Sequence, residues 1–153
     1  MDIQITFGIG EGSTKLAAFD AALFDAGIAN FNLIYLSSII PPKCNVFAQK
    51  ANLNDKYIGQ KLYIVPSYSV LDTKGAVSYI GLGWLFLKES GGFFVEYNSE
   101  KEEEVLSYIH DTIHSMNRYR SIESEPQVKI IKIECEARPI SGIIAAIYKV
   151  EKW

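Results

Sequence analysis

A chain of 153 residues, 48% of them hydrophobic and 22% charged, carries enough apolar surface for one packed domain and too much for a disordered segment. Its formal charge of −3 gives no electrostatic ground for a nucleic-acid or anionic-membrane partner. Cys44 and Cys135 show neither disulfide nor metal spacing, so buried free thiols in a reduced, cytoplasmic setting are expected. No basic-then-apolar leader opens the sequence, and no apolar run is long enough to span a bilayer.

Ile3, Ile5 and Phe7 alternate with Asp2, Gln4 and Thr6, which predicts a short half-buried strand. Gly8, Gly10 and Gly12 follow without the spacing of a dinucleotide or phosphate loop, so a tight turn with close backbone approach is the expectation. Ser13 or Thr14 can cap a helix that runs to about Ala26, with Gly27 as its stop. Asp20 sits among the apolar Leu16, Leu23 and Phe24 of that helix, whereas Asp25 falls well round it and should be solvated. A carboxylate on an apolar face needs a partner. The residues leave two open: a neighbouring element, or a substrate cation such as a guanidinium, whose fork suits a carboxylate.

Phe31 to Leu36 carries apolar residues on both faces and reads as a buried strand. It runs into Ser37-Ser38 and then Pro41-Pro42. Two adjacent hydroxyls bring a core strand nothing, but they have a chemical use. A serine hydroxyl can attack the carbonyl before it and turn the amide into an ester, provided the bond is strained and the oxyanion stabilised. Elimination across the Ser38 side chain then breaks the chain and leaves a pyruvoyl ketone on the new terminus, able to condense with an amine. The prolines fix φ just downstream. Asn32, on the same strand, either satisfies a backbone edge or helps to hold the reacting carbonyl.

Residues 43–60 read as a long polar connection, with Lys43, Lys50 and Lys56 as solvated surface. Leu62 to Val70 is a strand whose Pro66 suggests an edge or a bulge. Ala76 to Leu87 is a further strand, and Lys88 to Gly92 turns the chain into Phe93 to Tyr97. Phe94 and Glu96 share one face there. If Glu96 is buried, its raised pKa makes it a proton donor; otherwise it is a solvated glutamate. Ser99 is expected to cap a helix whose acidic first turn suits the helix dipole and whose buried stripe is Val105, Ile109, Ile113 and Met116. His110 and His114 echo a zinc-binding helix, but Asp111 is too short for the usual base and no third ligand is evident, so a solvated face is the better reading. Ile131 to Ala137 and Ile143 to Val150 complete the chain as a pair of strands joined by a turn. Two helices among mainly antiparallel strands make one α+β domain, residues 1–153.

The run from Leu16 through Asp20, Gly27, Asn32 and Ser37-Ser38 to Pro41-Pro42 resembles the pyruvoyl-dependent arginine decarboxylase family. Gly91-Gly92-Phe93-Phe94-Val95-Glu96-Tyr97 is similar to that family's segment bearing the catalytic glutamate. The resemblance implies a four-layer α/β/β/α sandwich. It also implies self-cleavage between Ser37 and Ser38 into a β chain 1–37 and an α chain 38–153, and a covalent pyruvoyl cofactor derived from Ser38. Decarboxylation of L-arginine to agmatine follows from it, with Asp20 and Ser37 at the substrate, Asn32 at the reacting carbonyl and Glu96 giving a proton. The family forms trimers, often paired, with sites between subunits. Two other classes compete: a metal enzyme on His110 and His114, and an uncleaved, non-catalytic domain of the same fold. Lysine and ornithine are alternative cationic substrates.

Overall fold

The computed structural model describes all 153 residues. In chain order the elements are β1 (Asp2–Glu11), α1 (Lys15–Asp25), β2 (Asn32–Tyr35), β3 (Ile39–Ile40), β4 (Asn45–Ala48), β5 (Lys61–Leu71), β6 (Val77–Leu87), β7 (Gly91–Ser99), α2 (Glu102–Asn117), β8 (Gln127–Glu134) and β9 (Ile140–Glu151). They form a five-stranded sheet in the order β2-β5-β9-β1-β4 and a four-stranded sheet in the order β3-β7-β6-β8. Pairing is antiparallel except for β1 with β4 and β2 with β5.

Period-two alternation explains the layers. Ile3, Ile5, Ile144 and Ala146 of the first sheet meet Ile80, Leu82, Phe94 and Ile133 of the second in the central core. The opposite face of the first sheet, with Leu62, Ile64 and Ile143, packs on Ala22 and Ala26 at the α1 end. The opposite face of the second, with Phe93 and Val95, packs on Val105, Ile109 and Ile113 of α2. The result is the expected sandwich, helix on sheet on sheet on helix. Truncating a fully buried core residue such as Ile80 to alanine costs about 2–5 kcal/mol.

Four local expectations are revised. The glycines after Phe7 belong largely to β1, which runs to Glu11, and they allow close packing rather than a turn. A Cβ on Gly8 would lie 2.3 Å from the Ala26 nitrogen, and one on Gly10 would lie 2.4 Å from the Ala21 carbonyl carbon, so α1 rests directly on β1. The connection after Pro42 contains β4, which extends the first sheet by parallel pairing with β1. The α2 N-cap is Lys101; Ser99 instead donates to Glu104 at 2.5 Å. The two last strands belong to different sheets, so the turn between β8 and β9 carries the chain across the sandwich. The cap on α1 is as expected: Thr14 accepts from the Ala17 amide at 3.1 Å, and Gly27 at φ +75° follows the helix. Of the two features anticipated at Pro66 the edge is present, since the pairing of β5 with β2 ends at Ile64, before the proline; Pro66 itself pairs regularly with Ala145, and the register shift lies earlier, at Tyr63/Ile64.

A second crossing concerns the paired serines. β2 is the edge of the first sheet and β3 the edge of the second, and Leu36-Ser37-Ser38 connects them. The Leu36 amide donates to Ile64 of β5 at 2.9 Å, while the Ser38 carbonyl accepts from Phe94 of β7 at 2.8 Å. The peptide bond between the serines therefore bridges two separately anchored edges.

Candidate active site

Ser38 adopts φ +56°. A residue with a Cβ enters this left-handed region at a cost of about 1–2 kcal/mol. Three anchors hold it there. Its carbonyl is fixed by the Phe94 amide, Ile39 pairs with Phe93, and its hydroxyl donates to Oε1 of Glu96. Fifty-eight residues separate the two side chains in sequence. Pairing of β3 with β7 brings them together, because Phe94 and Glu96 point to the same side of β7, as their spacing predicted. Glu96 is half-buried and also lines a cleft of about 300 Å³ with Pro66, Ser67, Tyr68, Tyr97 and Asn98.

A hydroxyl bonded to a carboxylate is a nucleophile next to a base. Held on a left-handed residue between two anchored edges, it sits beside a peptide bond whose two sides can part without leaving their sheets. The residues present therefore fit a pyruvoyl group, which consists of the atoms of residue 38 itself. Phe94 and Glu96 would hold it.

The remaining predicted site residues lie apart from this pair. Ser37 is exposed at the crossing. Asn32 stands at the start of β2, exposed, and donates to the Gly59 carbonyl at 2.7 Å. The β2 strand is thus a half-exposed edge, not the buried strand expected. Asp20 is exposed on α1, between Leu16, 77% exposed, and Phe24, 46% exposed. The helix fully buries its small residues, Ala18 and Ala22, because β1 approaches so closely; Phe19 and Leu23 pack half-buried at the flank, and Leu16 and Phe24 are turned outward. α1 covers the outer face of the first sheet, whereas Glu96 lies towards the inner one.

Asp25, expected to be solvated, is engaged. It accepts from the Ile9 amide at 2.9 Å and from Lys50 at 2.7 Å. Partial burial acts to raise its pKa, but these two bonds outweigh it and leave the carboxyl below its ordinary value. His110 and His114 are exposed and line a separate cavity of about 400 Å³ with Asp111 and Asn117; no third ligand joins them.

Tyr148 was not anticipated. Its hydroxyl donates to the Ile39 carbonyl at 2.8 Å, one residue beyond Ser38, and its ring meets Phe94 edge-on at 6.4 Å. Burial, with Cys44 and Glu96 nearby, raises this phenol's pKa well above its ordinary value, so it remains a donor. The only sign in the sequence is a polar ring closing the apolar run from Ile143 to Ile147.

The sequence profile of pyruvoyl-dependent arginine decarboxylase (PvlArgDC) matches residues 2–146. Among curated relatives, a pyruvoyl-dependent arginine decarboxylase of Thermoplasma volcanium is 33% identical over 69% of this chain, and the match spans 59% of that protein's length. One from Methanococcus aeolicus is 32% identical over 95% of this chain and 87% of its own. Pyruvoyl-dependent arginine decarboxylase 1 of Archaeoglobus fulgidus is 26% identical over 94% of both chains. The match covers nearly every element that places Ser38 against Glu96, and the chain belongs to the pyruvoyl-dependent arginine decarboxylase family.

Proposed function

We propose that the chain cleaves itself between Ser37 and Ser38 and that its α chain, residues 38–153, decarboxylates L-arginine to agmatine and carbon dioxide. The observation that carries this reading is the bond from the Ser38 hydroxyl to Glu96 at a left-handed residue between two sheets. Family membership and the names of the relatives support the substrate.

In the cleavage, Glu96 takes the hydroxyl proton as Oγ bonds to the Ser37 carbonyl carbon. The carbon–nitrogen bond breaks and an ester forms. Loss of the Ser38 α-proton expels the Ser37 carboxylate from Cβ, and water then replaces the nitrogen, which leaves as ammonia. The group so formed supplies a ketone that takes up the substrate amine and draws electrons away as carbon dioxide departs. Glu96 next holds a proton for the former α-carbon, which suits its half-buried place against Phe94.

Asp20 is assigned the guanidinium. It is exposed, without an ion pair in the single chain, and lies in another layer from Ser38, which favours a site shared between copies. A trimer, or a pair of trimers, is the assembly the family implies. Ser37 lies next to Ser38 and is assigned to substrate contact. Asn32 would have to exchange its bond to Gly59 for one to the reacting carbonyl. Buried free Cys44 and Cys135 accord with a reducing, cytoplasmic setting, and no helix is long and apolar enough to cross a membrane.

The test is carbon dioxide release from purified protein given arginine, lysine or ornithine, with and without a carbonyl-reactive hydrazine. Arginine turnover abolished by the hydrazine is expected. Turnover that ignores the hydrazine, or prefers lysine, overturns the assignment.

A further inference from the structure

We infer that Tyr148 is a positioning residue for self-cleavage, holding the chain just after the Ser37–Ser38 bond from the opposite sheet. The inference rests on the proposed cleavage and adds to it a residue with no assigned part.

Two independent observations carry it. The first is a bulge. β9 pairs Ile147 with Ile64 and Lys149 with Tyr63, so Tyr148 is the extra residue between consecutive pairs. A bulge re-aims a side chain, and here it accompanies a ring on the central strand of the first sheet that packs against the central core. The second is what that ring reaches. With Leu36, Tyr63, Met1 and Lys149 it lines a cavity of about 340 Å³ on the β2 side of the serines. On the β3 side its hydroxyl holds the Ile39 carbonyl at 2.8 Å.

The consequence concerns the reacting geometry. Attack needs Oγ of Ser38 held over the Ser37 carbonyl carbon, and small misplacements of such a pair are costly. The Phe94 amide and Glu96 fix Ser38 itself. Both bonds come from β7 within the second sheet, and β3 has only two residues paired on one side. Tyr148 supplies the missing restraint from the other sheet.

The experiment follows precursor cleavage by denaturing gel in Tyr148→Phe and in Tyr63→Phe. The latter loses one hydroxyl bond too, a charge-assisted one to Glu151 at 3.1 Å, from the same cavity wall. Loss of one neutral hydrogen bond predicts cleavage slowed about two- to tenfold in Tyr148→Phe. Tyr63→Phe should cleave at the wild-type rate despite a similar shift in Tm. A wild-type rate in Tyr148→Phe, or equal slowing in both variants, overturns the inference and leaves the cleavage reading intact. Wild-type protein that never cleaves removes both. Should Tyr148→Phe not fold, 4-aminophenylalanine and 4-methylphenylalanine at position 148 decide: they differ in the donor alone, and only the amino form should cleave at near the wild-type rate.

Discussion

Ser38 combines a reactive hydroxyl with a left-handed backbone, and the two contributions can be separated. Ser38→Ala and Ser38→Gly both delete the hydroxyl, both deprive Glu96 of its partner, and both should remain one chain. Between them only the Cβ differs. At φ +56° that Cβ costs about 1–2 kcal/mol, from which glycine is exempt. Against this stands the greater freedom of glycine in the unfolded chain, about 0.5–1 kcal/mol. The balance makes Ser38→Gly more stable than Ser38→Ala by about 0–1.5 kcal/mol, about 0.7 kcal/mol at mid-range. For a domain of this size that is a rise in Tm of about 1–4 °C. Urea unfolding and thermal melts of both variants at equal protein concentration measure it. An alanine variant more stable than the glycine variant would show that residue 38 is not held left-handed, and strain would leave the account of cleavage.

Three further outcomes are expected. Asp20→Asn keeps the size but removes the charge; at about 1.5–3 kcal/mol for a charge-assisted bond, arginine kcat/KM should fall at least about tenfold while chain cleavage persists. Unchanged turnover would exclude Asp20 from the guanidinium. Glu96→Gln should keep the fold but slow cleavage or turnover; agmatine formed per titrated pyruvoyl in the cleaved fraction separates the two, and a wild-type value removes Glu96 from the decarboxylation. Hydrogen bonds from Lys149, Lys61 and Tyr63 lower the Glu151 carboxyl from 4.5 to about 2. Because the folded value is the depressed one, its contribution is present above about 4.5 and is lost as pH falls toward 2. The stability advantage of wild type over Glu151→Gln in an acid titration should shrink across that window; an advantage that grows toward low pH contradicts the sign.

Some of this was legible before any coordinates. Alternation identified β1, and period-two spacing put Phe94 and Glu96 on one face of β7. The Thr14 cap and Gly27 bounded α1. The chemistry of Ser37-Ser38 was visible because two hydroxyls at a strand end have no packing purpose. What could not be read was the pairing. Nothing local in Ile39 or Ile40 says that a two-residue strand joins β7, yet that pairing delivers Ser38 to Glu96. The face of α1 was misjudged for a physical reason. Its large residues suggested the buried side, and Phe19 and Leu23 do pack on the core, but Gly8 and Gly10 bring β1 so close that alanines lie directly beneath, leaving Leu16, Asp20 and Phe24 outside. Tyr148 escaped notice because a bulge breaks the alternation on which strand reading depends.

The topology also says what cleavage should leave behind. The β chain contains β1, which pairs with both β4 and β9 of the α chain, and β2, which pairs with β5. The two products should stay together in native buffer and separate only on denaturation.

The most direct measurement is therefore the mass of the purified protein under denaturing conditions, for wild type and for Ser38→Ala. The account predicts two wild-type species, residues 1–37 and residues 38–153. The second should be lighter than its serine-started form by one ammonia and reactive to a hydrazine, whereas Ser38→Ala gives one intact chain. A wild-type protein that stays whole with an unmodified Ser38, yet turns over arginine, would contradict it.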